Sequence, residues 1–179
     1  QGIHATMAYG YGTSVTAIQM ISAVQALANN GVRVTPHVIK YSQEEYDNKI
    51  HHTQVIKPET AQAVTRLLAA SVNNGKSVIK MDSYNVAAKT GTSRKPKEGG
   101  AGYTPYTYTS TIGYLPASDP QVLIYVMVDS AKVGAIWGNT VSVCNRFSFS
   151  NIGLIAISMY VAKKSNAFLL SSLAASPSF

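Results

Sequence analysis

The chain has 179 residues, 46% hydrophobic and 13% charged, with 15 Lys and Arg against 8 Asp and Glu. That apolar content excludes a disordered polyelectrolyte and suffices for one core, so one domain or part of one is the bound. The net charge of +7 raises a nucleic-acid reading, but no recognition-helix, RNP or zinc pattern accompanies it, and no nucleic-acid partner is expected. The lone Cys144 cannot form an internal disulfide. No signal peptide opens the chain, and no apolar run reaches the roughly eighteen residues that span a bilayer.

From the N-terminus, Thr16 with Gln19 three residues on has the form of a capping box. Ile18, Ile21, Val24, Leu27 and Ala28 recur at helical spacing until Asn29, Asn30 and Gly31 stop the run. Residues 32–40 and 49–56 read as two short strands around a polar turn at residues 44–48. His51 and His52 would point to opposite faces of such a strand and have no Cys or acid at ligand spacing, so an exposed pair is expected and not a metal site. A second helix starts at Pro58 and Glu59, the proline suiting a first turn and the acid a helix N-terminus. It is expected to bury Ala61, Val64, Leu67, Leu68 and Val72 and to end at Asn73, Asn74 and Gly75.

Asn85, Val86, Ala87 and Ala88 then form a short apolar run, as a buried strand has, leading into Lys89, Thr90, Gly91, Thr92 and Ser93. The small Gly91 is expected to let another backbone approach the strand edge. A K-T-G-T string is rare by chance in this composition, although an ordinary strand ending at a glycine turn has the same letters. Arg94, Lys95, Pro96 and Lys97 make a basic cluster, read as a solvated loop or as an attractor of acidic cell-wall or phospholipid groups. Residues 99–108 mix glycines with tyrosines, as a loop beside a cleft or a solvated connector does. Residues 107–115 and 121–129 bracket a short connection with two prolines, which suits antiparallel strands; a parallel pair needs a crossover of about a dozen residues.

Tyr9, Gly10, Tyr11, Gly12, Thr13, Ser14, Val15 and Thr16, continuing through the first helix to Gly31, resemble the segment after the active-site cleft of class B penicillin-binding proteins. Residues 86–93 resemble their third core strand, and residues 111–116 and 126–129 their fourth and fifth. Ile136, Trp137, Gly138, Asn139, Thr140 and Val141 resemble the entry to their last helix. The likeness keeps the family's order over about three quarters of the chain and is nearest to division-type transpeptidases.

The resemblance implies an α+β fold, part of a penicillin-binding/β-lactamase-like transpeptidase domain with helices packed on an antiparallel sheet, over residues 1–141. It implies that the intact protein is a serine-type D,D-transpeptidase that cross-links peptidoglycan stem peptides and binds β-lactam antibiotics. Its partners would be divisome or cell-wall synthesis proteins, and no cofactor or metal is implied. Its place would be the periplasmic or extracytoplasmic face of the membrane, held by an N-terminal anchor that this chain lacks.

In this reading an extended donor peptide adds to the edge of the K-T-G strand through main-chain hydrogen bonds. Lys89 supplies a fixed positive charge, the hydroxyls of Thr90 and Thr92 hold a carboxylate, and Gly91 completes the binding strand. The Thr92 N–H is one of two oxyanion donors.

The family's catalytic order is S-x-x-K, S-x-N, K-T-G, with the first two far upstream, so the nucleophilic serine is expected to be absent from this chain. Ser77 with Lys80 matches the first pattern, and Ser71 with Asn73 and Ser83 with Asn85 match the second, but roughly one chance hit is expected for each. Ser77 also follows a helix-stop cluster, whereas a nucleophile and its lysine need one helical turn to share a face. The rivals are a fragment of a serine β-lactamase or β-lactam sensor, a non-enzymatic scaffold, and a non-catalytic basic binding module. The likeness stops near Val141: residues 142–150 lack an amphipathic helical pattern, residues 152–162 are mostly apolar, and residues 169–176 read as a low-information tail. Residues 142–179 are therefore expected to be a divergent or frame-shifted tail.

Overall fold

Thr16 and Gln19 cap each other reciprocally, each side chain taking the other's backbone N–H, at 3.3 and 2.9 Å. This opens helix α1 (Ala17–Ala28) in the computed structural model. The structure describes residues 10, 13–74, 77, 79–130, 155–161 and 168–174. Tyr9, Tyr11, Gly12, Gly75, the helix-entry segment at residues 136–141, Cys144 and residues 142–150 lie outside the described residues.

The stripe of α1 that packs on the core is Ala17, Met20, Ile21, Val24 and Ala28. Ile18, expected in it, is 40% exposed because it sits on the rim of that stripe in the first turn. Gln25 is buried on the same side, and its amide oxygen accepts the Val34 N–H at 3.0 Å, which satisfies a polar group among apolar ones. Asn30 and Gly31 then reverse the chain at positive φ, and a side chain on Gly31 would collide with the Ile56 carbonyl.

Strand β1 (Val32–Val34) pairs antiparallel with β2 (His52–Gln54), both shorter than the expected strands. The polar stretch between them is not a turn but helix α2 (Gln43–Lys49). Ser42 and Glu45 form a second capping box, and Glu45 pairs with Lys49 one turn on at 3.2 Å. Only Tyr46 of α2 is buried, against Val34 and Ile50, so the helix has no apolar periodicity to announce it. His51 is exposed, and the imidazole of His52 is hydrogen-bonded to the Tyr46 hydroxyl at 3.2 Å. Among the described residues no group of three or more His, Cys, Asp or Glu is placed to hold a metal ion.

Helix α3 (Pro58–Asn73) buries Ala61, Ala69 and Val72, with Leu68 packed on the core. Leu67 is 71% exposed, against expectation, because it lies about 100° round the helix from Leu68.

Strands β3 (Ala87–Pro96), β4 (Tyr103–Leu115), β5 (Val122–Asp129), β6 (Ile155–Val161) and β7 (Phe168–Ala174) form one antiparallel sheet in sequence order. Strand β7 runs through most of residues 169–176, which read as low-information in sequence. Strand β4 begins at Tyr103, so most of the expected 99–108 loop is strand, as its alternating Thr and Tyr favour. Pro105, which has no N–H to give, falls where the ladder slips between the Arg94–Thr107 and Pro96–Tyr103 pairs. Helix α1 and Ala69 of α3 close a core with Ala87, Tyr114, Ala117, Leu123 and Tyr125, and Val72 of α3 packs separately with Val86 and Ala88 at the start of β3. The fold is α+β, and among the described residues no helix is long and apolar enough to cross a membrane.

Candidate active site

The K-T-G residues stand on β3, whose one neighbour among the described strands is β4, so its other edge carries no strand there. The first part of β3 is pinned on both faces. Ala87 packs with Ile21, Ala69 and Tyr114, while Val86 and Ala88 pack with Val72 on the other side. Asn73, the last residue of α3, aims its amide at the carbonyls of Ala69 and Val86 and at the Asn85 side chain, at 2.6, 3.2 and 2.7 Å. The Ala117 N–H donates to the Asn85 carbonyl at 2.8 Å. Helix α3 and the β4–β5 connection thus fix the entry of β3.

Beyond Ala88 the side chains emerge. Side chains alternate along a strand, so Lys89 and Gly91 lie on the face of Ala87, and Thr90, Thr92 and Arg94 on the face of Ala88. Lys89 and Thr92 are exposed, and Thr90 and Gly91 half-buried. The Lys89 ammonium donates to the Thr90 carbonyl at 2.7 Å. In an antiparallel ladder main-chain groups two residues apart point the same way, so the Thr92 N–H and C=O share the direction of those of Thr90.

Gly91 also has a local reason within the sheet. A Cβ there would lie 2.8 Å from the Ser110 hydroxyl on β4, so the glycine makes room for a side chain of the neighbouring strand. Burial pushes the Tyr125 phenol up, an effect partly offset by a hydrogen bond with Ser110. Burial likewise raises the Tyr114 phenol, offset in part by Thr65 on α3, 2.7 Å away.

The basic cluster is not a loop. Arg94, Lys95 and Pro96 belong to β3, and the Lys95 ammonium straddles the Asp129 carboxylate at 2.9 and 3.0 Å, reaching across β4 to β5. Its ammonium also lies 5.3 Å from the centre of the Tyr108 ring. The hydrogen bond to Asp129 is the main cause that holds Lys95 above its ordinary value. Burial works to raise the Asp129 carboxyl, but hydrogen bonds from Ser130 and Lys95, with the Lys95 charge, hold it below the ordinary range.

The decoy motifs do not assemble. The Lys80 N–H donates to the Ser77 carbonyl at 3.2 Å and the Ser77 hydroxyl accepts the Ile79 N–H, and neither Ser77 nor Lys80 lies in a helix. Ser71 bonds back to the Leu68 carbonyl, and Asn73 and Asn85 bond to each other. Among the described residues no serine in a helix has a lysine one turn away. A cleft of about 560 Å³ lies elsewhere, by the β4–β5 connection, lined by Gln25, Tyr46, Gln62, Arg66, Ser118 and Leu123 among others, with no K-T-G residue. Asn73, Ser110, Tyr125 and Asp129 were missed as site supports. The partners that give them this role, Asn85 and Val86 for Asn73, Gly91 for Ser110, Ser110 for Tyr125 and Lys95 for Asp129, are 12 or more residues away in sequence.

Residues 3–143 match the penicillin binding protein transpeptidase domain. Stage V sporulation protein D of Bacillus subtilis is 36% identical over 148 residues, covering 77% of this chain and 22% of that protein. Penicillin-binding protein PbpB of Mycolicibacterium smegmatis is 30% identical over 143 residues, covering 70% of this chain and 22% of its own. The crystal structure of a peptidoglycan synthetase from Bifidobacterium adolescentis shares the fold, with a TM-score of 0.61 at 24% identity over 78% of this chain and 27% of that one. The chain spans less than a quarter of the length of these two curated relatives. With its family match over most of its length, and a sheet and helices arranged as in a solved relative, the chain belongs to the transpeptidase-domain family of penicillin-binding proteins.

Proposed function

We propose that this chain supplies the substrate-binding edge of a class B peptidoglycan D,D-transpeptidase whose nucleophilic serine lies in another part of the protein. The observation that carries the reading is the K-T-G string at a sheet edge with no strand beyond it among the described residues, anchored at Ala87 and Ala88, with Lys89 and Thr92 exposed. In the intact enzyme the serine attacks the penultimate D-alanyl carbonyl of a stem peptide, expelling the terminal D-alanine. An amine from a second stem peptide then resolves the acyl-enzyme. Lys89 orients the donor and the proton relay, Thr90 and Thr92 hold the donor carboxylate, and the Thr92 N–H is one oxyanion donor. β-Lactams acylate the same serine as donor mimics.

Residues 1–141 form the transpeptidase portion in this proposal, and residues 142–179 are a divergent or frame-shifted terminus. The protein works at the extracytoplasmic face of the membrane through an anchor outside this chain, beside other cell-wall synthesis or division proteins. Fluorescent penicillin tests the central claim. The full-length protein should be labelled covalently and Lys89→Ala should lose most of the label, while the 179-residue chain alone takes none. Label on this chain that disappears in Ser77→Ala would overturn the assignment, and rapid release of hydrolysed drug by the full-length protein would favour a β-lactamase.

A further inference from the structure

The cations around β3 are not equivalent. Lys95 is neutralised by Asp129, and Lys89 is turned onto a main-chain carbonyl. Arg94 and Lys97, on either side of Lys95, are exposed and make no ion pair among the described residues. Glu98, the acid next in sequence, pairs with neither.

Arg94 is held by regular structure. It sits opposite Thr107, which is 8% exposed, and the preceding rung on the same face is Thr92 opposite Thr109. Arg94 therefore stands two residues, about 7 Å, beyond Thr92 along the open edge. The Lys97 N–H donates to the Gly102 carbonyl at 3.1 Å, which fixes the backbone at the mouth of the β3–β4 hairpin.

A donor peptide whose carboxyl end lies by Lys89 and Thr92 can continue along this edge in only one direction, antiparallel to β3 and past Arg94 toward Lys97. In an antiparallel pair, residues two apart on one strand face residues two apart on the other, on the same side. The donor side chain two residues before the one opposite Thr92 thus comes to Arg94. A guanidinium there presents a planar fork that fits a carboxylate and has no such fit to a carboxamide.

We propose that Arg94, with Lys97 behind it, forms an anionic-group subsite that extends the donor site and selects donor peptides with a free carboxylate two residues before the acylating residue over donors amidated there. The inference rests on the transpeptidase reading above, and its test separates the two.

Full-length protein is given paired thioester donor peptides that differ only by carboxylate or carboxamide at that position, and the second-order acylation rates are compared. The carboxylate donor should acylate about three- to fivefold faster at low ionic strength, the advantage shrinking as salt is added. Arg94→Gln should bring the ratio to about one, Arg94→Lys should restore part of it, and Lys97→Gln should lower it less. Arg33→Gln, an equal loss of charge on the exposed side of β1, should keep the wild-type ratio. Equal rates for the two donors in the wild type, or a ratio that falls as far in Arg33→Gln as in Arg94→Gln, overturn the subsite. A protein that takes penicillin without discriminating the donors overturns the subsite alone; one that takes neither penicillin nor donor overturns the transpeptidase reading and the subsite with it.

Discussion

The two halves of β3 are built for opposite purposes. Ala87 and Ala88 are 0% and 3% exposed, covered on both faces and tied through Asn85 and Val86 to the end of α3. From Lys89 to Arg94 the same strand keeps its ladder to β4, with Lys89, Thr92 and Arg94 exposed, the residues between them half-buried, and no described strand on its outer edge. The contrast shows how an edge strand can be both rigid and available. Rigidity comes from packing at one end and from the Lys95–Asp129 pair at the other, and availability from the span between. An open edge is a hazard for aggregation, and the exposed lysines and arginine along this one blunt it.

The largest effect should come from breaking the anchored half. Tyr114 is 0% exposed, stands opposite Ala87 and reaches Thr65 through its hydroxyl. Tyr114→Ala should cost about 3–5 kcal/mol, as large aromatic truncations in cores do. Urea unfolding of the full-length protein measures it; a loss below about 1 kcal/mol would mean that this core does not hold the strand.

The open half should fail in the opposite manner, in rate and not in stability. Lys89→Ala should lower the second-order acylation rate of the full-length enzyme about a hundred- to a thousandfold with its melting temperature unchanged. Thr92→Val keeps the backbone N–H and loses one carboxylate contact, so its loss should be smaller, about ten- to a hundredfold. A Lys89→Ala enzyme that acylates like wild type would make Lys89 an ordinary strand-end lysine.

Gly91 tests the junction of the two. Gly91→Ala must displace the Ser110 hydroxyl and should cost about 1–3 kcal/mol. In a Ser110→Ala background the cost should mostly vanish, because the displaced atom is gone; equal costs in both backgrounds would assign the role of Gly91 to something other than Ser110.

The smallest effect concerns pH at the far end of the strand. Asp129 is held below its ordinary value of 3.8. A depressed carboxyl stabilises above its unfolded pKa, and that contribution is lost as pH falls through the folded value. Urea midpoints taken from about pH 5 down to about pH 2 should therefore fall more steeply in wild type than in Asp129→Asn. Parallel profiles would show that the Lys95–Asp129 pair contributes nothing measurable.

Much of this was legible in the chain itself. The capping box at Thr16 and Gln19, the proline start at Pro58, the antiparallel β4–β5 connection and the K-T-G strand are local signals, written within a few residues of where they act. Helix α2 escaped because its cap and ion pair are polar and its one buried residue, Tyr46, makes no stripe. The basic cluster was misread because Lys95 looks solvated until its partner, 34 residues on, is seen.

Residue types and short spacings alone thus determined where helices begin, where the chain turns, and that the K-T-G letters fall on a strand, since those depend on caps, proline geometry and side-chain period. Tertiary structure decided that this strand lies at a sheet edge among the described strands, that Gly91 yields to Ser110, that Asn73 staples the strand entry, and that of the clustered cations Lys95 is paired with Asp129 while Arg94 is exposed. Each of those depends on residues far apart in sequence brought within a few ångströms, and strand order and register, which no local pattern encodes, are what bring them there.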